Sequence, residues 1–388
     1  MMATIFLTAI NMLHVMFGVA HGLHPEPPVK RSISALPIKL DFTVQQISSN
    51  YIPIENLATS DNVSDSDINK RNMLCEQIYK YHDLAYITTI YLGSQKQSVT
   101  VSIDTGSADL WVPGISYDPQ LSSLSYYTGQ SFDVGYLGGE NLHGTYFLDR
   151  FQFGSESSVL PSFQFARADS SRLGVLGLGD TSLLASQTPY DNLPWALYNA
   201  GIISKPAYSL FMNPENGTGA LIMGGIDTEK YSGELFGYMA STTNDGLGIN
   251  LKAMTFNGKH SVINELVYLD SGTSFGLLSR NVMKELDVAF DTTVWTFNGV
   301  EYRGTSCDQP ADKSIDFEFG HNTISITYAD AIIRKPDGTC LLGFGYYNGK
   351  YVLGNVFLKK AYVYYDLMEK SISFAQVASS NSSNIINR

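Results

Sequence analysis

The chain has 388 residues, 44% of them hydrophobic and 16% charged, with a mean hydropathy of −0.05. That composition builds one large domain or two and excludes a wholly disordered chain. The formal net charge of −12 excludes the clustered basic surface that nucleic-acid binding requires, and a low charge density rich in Asp and Glu suits work at low pH.

Residues 1–22 read as a signal peptide: Ile5 to Val19 is mostly apolar, and small residues for cleavage follow at Gly18-Val19-Ala20 or Ala20-His21-Gly22. The run is shorter than the ~20 residues a membrane span needs. A polar segment follows over residues 23–71, read as a propeptide. It contains Lys30-Arg31, ends in Lys70-Arg71, and carries the glycosylation acceptor Asn62-Val63-Ser64. A processing protease cutting after Arg71 would leave a chain starting at Asn72.

From Tyr86 the pattern is β. Ala85 to Gly93 is rich in β-branched and aromatic residues and stops at Gly, and Ser98 to Ile103 alternates and delivers Asp104. Short strands are expected through 145–166 and 207–225. Leu266-Val267-Tyr268-Leu269 delivers Asp270, and Asn281 to Phe290 has the helical spacing of Val282, Leu286 and Ala289. The tail, residues 379–388, is polar and lacks the hydrophobic end of a GPI signal.

Two short runs organise this chain: Ile103-Asp104-Thr105-Gly106-Ser107 and Leu269-Asp270-Ser271-Gly272-Thr273. Each sets an Asp at the end of an apolar strand, then a hydroxyl residue, a Gly and a second hydroxyl. One such run is an ordinary turn signal. Two in matching settings indicate a duplicated lobe that contributes one carboxylate from each half. Val175-Leu176-Gly177 after the first run and Val352-Leu353-Gly354 after the second repeat in the same order. Two carboxylates about 3 Å apart cannot both ionise, so they share a proton and do acid and base chemistry together. A glycosidase would keep its two acids at least ~5 Å apart, and matched Asp-Thr/Ser-Gly loops argue against that use.

The run from Asp104 to Pro113 resembles the first active-site motif of the pepsin family of aspartic endopeptidases, and Leu269 to Ser274 resembles the second. The resemblance spans about Tyr86 to Val377 and is strongest to secreted fungal members, the yapsins and candidapepsins. Tyr190-Asp191-Asn192-Leu193-Pro194, Ala207-Tyr208-Ser209-Leu210 and Ala361 to Leu367 carry it further. It implies an all-β, bilobal pepsin-like fold with a central cleft and few short helices, with residues 72–250 as the N-terminal lobe and 251–378 as the C-terminal lobe. It implies peptide or protein substrates, pepstatin-like inhibitors, no cofactor and a monomer. It places Asp104 and Asp270 at the base of the cleft, with Asp270 as the base.

Thr105, Gly106, Ser107, Ser271, Gly272 and Thr273 would support the pair. Phe132 to Gly139 reads as a flap hairpin with Tyr136 as its tyrosine, next to Gly138 and bonded to Trp111. The resemblance pairs Cys307 with Cys340 and leaves Cys75 over. His82, His143, His260 and His321 are scattered, so no metal is expected. Asn216-Gly217-Thr218 and Asn381-Ser382-Ser383 are further glycosylation acceptors.

Leu137 stands where the family usually has Gly, and Asn355 where it usually has Asp. Asn355 leads to the expectation of a less strongly acidic pH optimum. The combined expectation is a secreted or cell-wall-associated endopeptidase without a GPI anchor, extracellular rather than vacuolar, and made as a zymogen. The alternative is an inactive relative that binds peptides or partner proteins in the same cleft.

Overall fold

The alternating apolar strands assemble, in the computed structural model, into two large sheets. The structure describes residues 35–45, 85–136, 141–153, 159–170, 172–213, 218–297, 299–335 and 337–388. The expectations for the signal peptide, Asn62, Lys70, Arg71, Cys75, Leu137, Gly138 and Asn216 lie outside these residues. The first sheet has thirteen strands, and the second has twelve drawn from Ser241 to Leu353. The fold is all-β and bilobal.

The two candidate carboxylates arise from equivalent strand arrangements. Gln97–Asp104 runs antiparallel to Ala85–Leu92 and parallel to Gly174–Gly177, which sets Asp104 opposite Gly177. Lys259–Leu269 runs antiparallel to Gly246–Phe256 and parallel to Tyr351–Leu353, which sets Leu269 opposite Leu353. The repeated apolar-apolar-Gly element is thus the parallel neighbour of the Asp-bearing strand in both halves. Val99, Val101 and Ile103 point into the core of the first half, and Val267 and Leu269 into that of the second. Side chains two apart share a sheet face, so an alternating apolar run both anchors the strand and aims its last residue.

The helices are short. Leu193–Asn199 carries Pro194 in its first turn, where a missing N–H costs nothing. Arg280–Phe290 buries Val282, Met283, Leu286 and Phe290 and ends on Asp291 in the left-handed region, at φ 48°. Asn355–Leu358 is a single turn against the second lobe's core. Cys307 and Cys340 form a disulfide. Among the described residues, no helix is long and apolar enough to cross a membrane.

Chain order and sheet membership diverge in four places. The expected lobe boundary after residue 250 falls inside the strand Gly246–Phe256. Ala361–Asp366 and Ser371–Val377, expected with the second lobe, extend the first sheet through Ala207–Asn213. The polar tail contributes the strand Ile385–Asn387, paired with Gly225–Asp227, and the buried Asp227 accepts from Ser383 Oγ at 2.6 Å and Asn384 N at 2.8 Å. A further strand, Ile38–Gln45, lies within the segment read as a propeptide. It joins Thr218–Met223 to Ala85–Leu92.

Candidate active site

Asp104 and Asp270 are each 6% exposed and meet within hydrogen-bonding reach of one another. Their surroundings are related by an internal two-fold. Gly106 N donates to Asp104 Oδ1 at 2.8 Å, and Ser107 Oγ donates to Asp104 Oδ2 at 2.6 Å. Across the interface, Gly272 N donates to Asp270 Oδ1 and Thr273 Oγ1 to Asp270 Oδ2, both at 2.8 Å. Each carboxylate therefore receives a backbone N–H on one oxygen and a hydroxyl on the other.

The glycines are demanded by close approach. A Cβ on Gly106 would stand 2.5 Å from the Asp270 carboxyl carbon, and one on Gly272 would stand 2.4 Å from Asp104 Oδ1. Any side chain there would wedge the carboxylates apart.

Thr105 and Ser271 cross-link the two loops. Thr105 Oγ1 donates to Leu269 O at 2.9 Å and accepts from Ser271 N at 3.0 Å. Ser271 Oγ donates to Ile103 O at 2.8 Å and accepts from Thr105 N at 3.1 Å. Four buried bonds thus fix the separation of the two Asp-bearing strand ends. Tyr365 OH adds a bond to Leu269 O at 3.2 Å.

Burial first, and the negative charge of Asp270 second, push the Asp104 carboxyl up to about 7; the bonds from Ser107 and Gly106 oppose the shift. Desolvation disfavours a buried charge, and a like charge beside it disfavours it further. The pair therefore favours a single shared proton in mild acid, and its two carboxyls titrate together.

Tyr136 stands within electrostatic reach of both carboxylates. It follows the hairpin strand Tyr126–Gly135, which pairs with Asn141–Gln152. Trp111 Nε1 donates to Tyr136 OH at 2.6 Å. Burial, then the charge of Asp104, raises the Tyr136 phenol, so it stays neutral. A cavity of about 910 Å³ opens between Gly135 and Tyr136 on one side and Glu265, Tyr268, Lys350 and Tyr351 on the other. A second, smaller cavity shares Tyr268 and Lys350 and reaches Asp270 and Gly106.

Sequence reasoning missed two contributors. Asp109, 4% exposed, accepts from Tyr146 OH and Tyr190 OH on Oδ1 and from Ala185 N on Oδ2, each at 2.7 Å. It ties the hairpin strand carrying Tyr146 to the loop carrying Ala185 and Tyr190, two residues before Trp111. The signal was present in the motif, but its partners lie far along the chain. Asn355, noted only as a departure, is fully buried and donates from Nδ2 to Ser271 O at 3.0 Å. An ionised Asp at that place could not make this bond. Among the described residues, no group of three or more His, Cys, Asp or Glu side chains is placed to hold a metal ion.

The sequence model of the eukaryotic aspartyl protease family matches residues 85–377, the span that contains both carboxylates, Trp111 and Tyr136. The chain belongs to that family. It is 32% identical to candidapepsin-4 of Candida albicans, over 93% of this chain and 89% of that protein. It is 31% identical to candidapepsin of Candida tropicalis, over 99% of both chains. The crystal structure of an aspartic proteinase from Irpex lacteus has the same fold, with a TM-score of 0.65 at 21% identity, covering 77% of this chain and 96% of that one. The protein is accordingly an aspartic-type endopeptidase.

Proposed function

We propose that the protein is secreted as a zymogen and hydrolyses peptide bonds with a water activated between Asp104 and Asp270. The observation that carries this reading is the mirrored set of bonds around two buried carboxylates in contact. Asp270 serves as the base, the role the resemblance implies for it, and takes a proton from the water. Asp104 donates its proton to the scissile carbonyl oxygen as the hydroxide adds to the carbonyl carbon. A tetrahedral gem-diol forms. Asp270 then gives its proton to the amide nitrogen while Asp104 takes one back from a gem-diol hydroxyl, the C–N bond breaks, and the shared proton is restored. No acyl-enzyme is formed. The two groups titrate as one unit.

Thr105, Gly106, Ser107 and their counterparts Ser271, Gly272 and Thr273 hold the carboxylates in place, and Trp111 holds Tyr136 over the substrate. Extended peptides and proteins are the substrates, and pepstatin-like compounds the inhibitors. The names of several Candida albicans relatives describe them as secreted aspartic proteases. With the signal-like residues 1–22, that supports an extracellular or cell-wall-associated enzyme, processed after Lys70-Arg71 and working as a monomer. Asn381 is exposed and open to glycosylation.

The test is to express the full chain in a secreting host and to sequence the N-termini of the medium protein. Pepstatin should then be titrated against cleavage of a denatured protein substrate. Processed protein whose cleavage is abolished by equimolar pepstatin supports the reading. Pepstatin binding without any cleavage would establish the peptide-binding alternative, for which the buried Asn355 beside the pair is the favouring feature.

A further inference from the structure

The strand Ile38–Gln45 lies inside the segment whose removal the dibasic pair Lys70-Arg71 suggests, yet it is built into the enzyme. It pairs over six positions with Thr218–Met223, from Ile38 opposite Met223 to Thr43 opposite Thr218. On its other edge Thr43, Val44 and Gln45 pair with Ile87, Tyr86 and Ala85. Its side chains alternate. Leu40 and Phe42 are buried in the main core, while Lys39 and Asp41 face out and pair with each other.

The fit is close at two glycines. A Cβ on Gly219 would lie 2.2 Å from the Phe42 ring, and one on Gly225 would lie 2.6 Å from Pro37. The Phe42 ring stacks on Tyr86 with centroids 5.0 Å apart. Gly219 and Gly225 thus leave a trough shaped to this strand. Without it, Thr218–Met223 and Ala85–Leu92 would each present an unpaired edge, and exposed edges invite pairing with other chains. Gln45 and Ala85 face one another in register. Strand pairing is described up to Gln45 and from Ala85 onward, so a cut at Lys70-Arg71 leaves every described ladder pair in place.

We propose that the segment carrying Ile38–Gln45 stays with the enzyme after cleavage at Lys70-Arg71, as a second, non-covalent chain docked through that strand. The inference rests on the processing reading above for the natural cut. The trough between Thr218–Met223 and Ala85–Leu92 is a docking surface, and its occupant is this segment of the same chain. Cleavage turns an intramolecular contact, with an effective concentration near the millimolar range, into a bimolecular one. Retention then depends on the paired edges and the two buried side chains. The segment is a structural subunit of the working enzyme as well as part of its precursor.

The experiment uses the full secreted chain, cut by an endoprotease specific for dibasic pairs and passed through gel filtration at micromolar concentration. Denaturing mass spectrometry should find both pieces in one peak at equal amounts. Amide exchange at residues 38–44 should remain as slow as in the uncut protein. Phe42→Asp should leave the uncut protein with its segment and release the segment on cutting. If that variant fails to fold, Phe42→Leu should speed exchange across residues 38–44 only after the cut. A larger piece that elutes alone with undiminished activity and an unchanged melting temperature would overturn the proposal. So would occupation of the trough by residues 72–84, seen as their protection from exchange. If Lys70-Arg71 resists the endoprotease, the processing reading fails by itself. A site for a sequence-specific protease placed over residues 66–71 then supplies the cut, and co-elution decides the docking.

Discussion

The two hydroxyls that cross-link the Asp-bearing loops are not equivalent, and the difference is measurable. Ser271→Ala removes the donor to Ile103 O and the acceptor of Thr105 N, and among the described residues no second side-chain bond to either group replaces them. Stranding a buried backbone group costs about 1–3 kcal/mol, so this substitution should cost about 2–6 kcal/mol. Thr105→Val removes the donor to Leu269 O and the acceptor of Ser271 N, but Tyr365 OH still donates to Leu269 O at 3.2 Å. Only one group is then stranded, for about 1–3 kcal/mol. Thr105→Ser keeps the hydroxyl and should behave as wild type. Urea unfolding at fixed pH measures the stabilities. Steady-state kinetics should show kcat falling more than KM rises, because the loops align reacting groups and do not bind remote parts of the substrate. Equal losses for Ser271→Ala and Thr105→Val, or a larger loss for Thr105→Val, would refute the reasoning.

Other consequences follow from the same geometry. Asp104 has its carboxyl raised from 3.8 to about 7, so the folded state holds a proton that the unfolded state gives up. Stability is full below about pH 4 and falls as pH rises to about 7, by up to about 4 kcal/mol at 1.36 kcal/mol per unit. Asp104→Asn should remove that loss and melt higher than wild type at pH 7.5, with little difference at pH 3.5; calorimetry at both values checks this. Trp111→Phe deletes the donor to Tyr136 OH and should lower kcat/KM by about five-fold, the worth of a bond of about 1 kcal/mol; unchanged kinetics would remove the flap role of that bond. Asn355→Asp replaces the donor to Ser271 O with a carboxylate. It should destabilise by about 1–3 kcal/mol at pH 7 and recover in acid, where the protonated group donates again. A pH-independent melting difference would contradict this.

The pair itself was legible because its signals are local. An apolar alternating strand, an Asp and a hydroxyl-Gly-hydroxyl turn are contiguous in both halves, and so is the apolar-apolar-Gly strand that runs parallel to each. The helix Arg280–Phe290 was legible from the spacing of its buried face. Ile38–Gln45 was not, although Ile38, Leu40 and Phe42 alternate with Lys39 and Asp41. Its polar flanks and the neighbouring dibasic pairs masked a period-two pattern, and its partners lie on Thr218–Met223. The three-residue strand at Ile385 is too short to show a period. The Asp109 cluster gathers two tyrosines separated from it by 37 and 81 positions, and no local pattern announces such a meeting. The passage of Ala361–Val377 into the first sheet is likewise a property of the assembled sheet, invisible in chain order.

The central claim is that two carboxylates sharing a proton cleave the peptide bond. The most direct measurement is cleavage of a peptide substrate by the processed protein from pH 3 to 7, beside Asp104→Asn and Asp270→Asn, each first shown to be folded. The account predicts activity in the acid range for wild type and its loss at every pH in both variants. A folded variant of either position that still cleaves at a wild-type rate would contradict it.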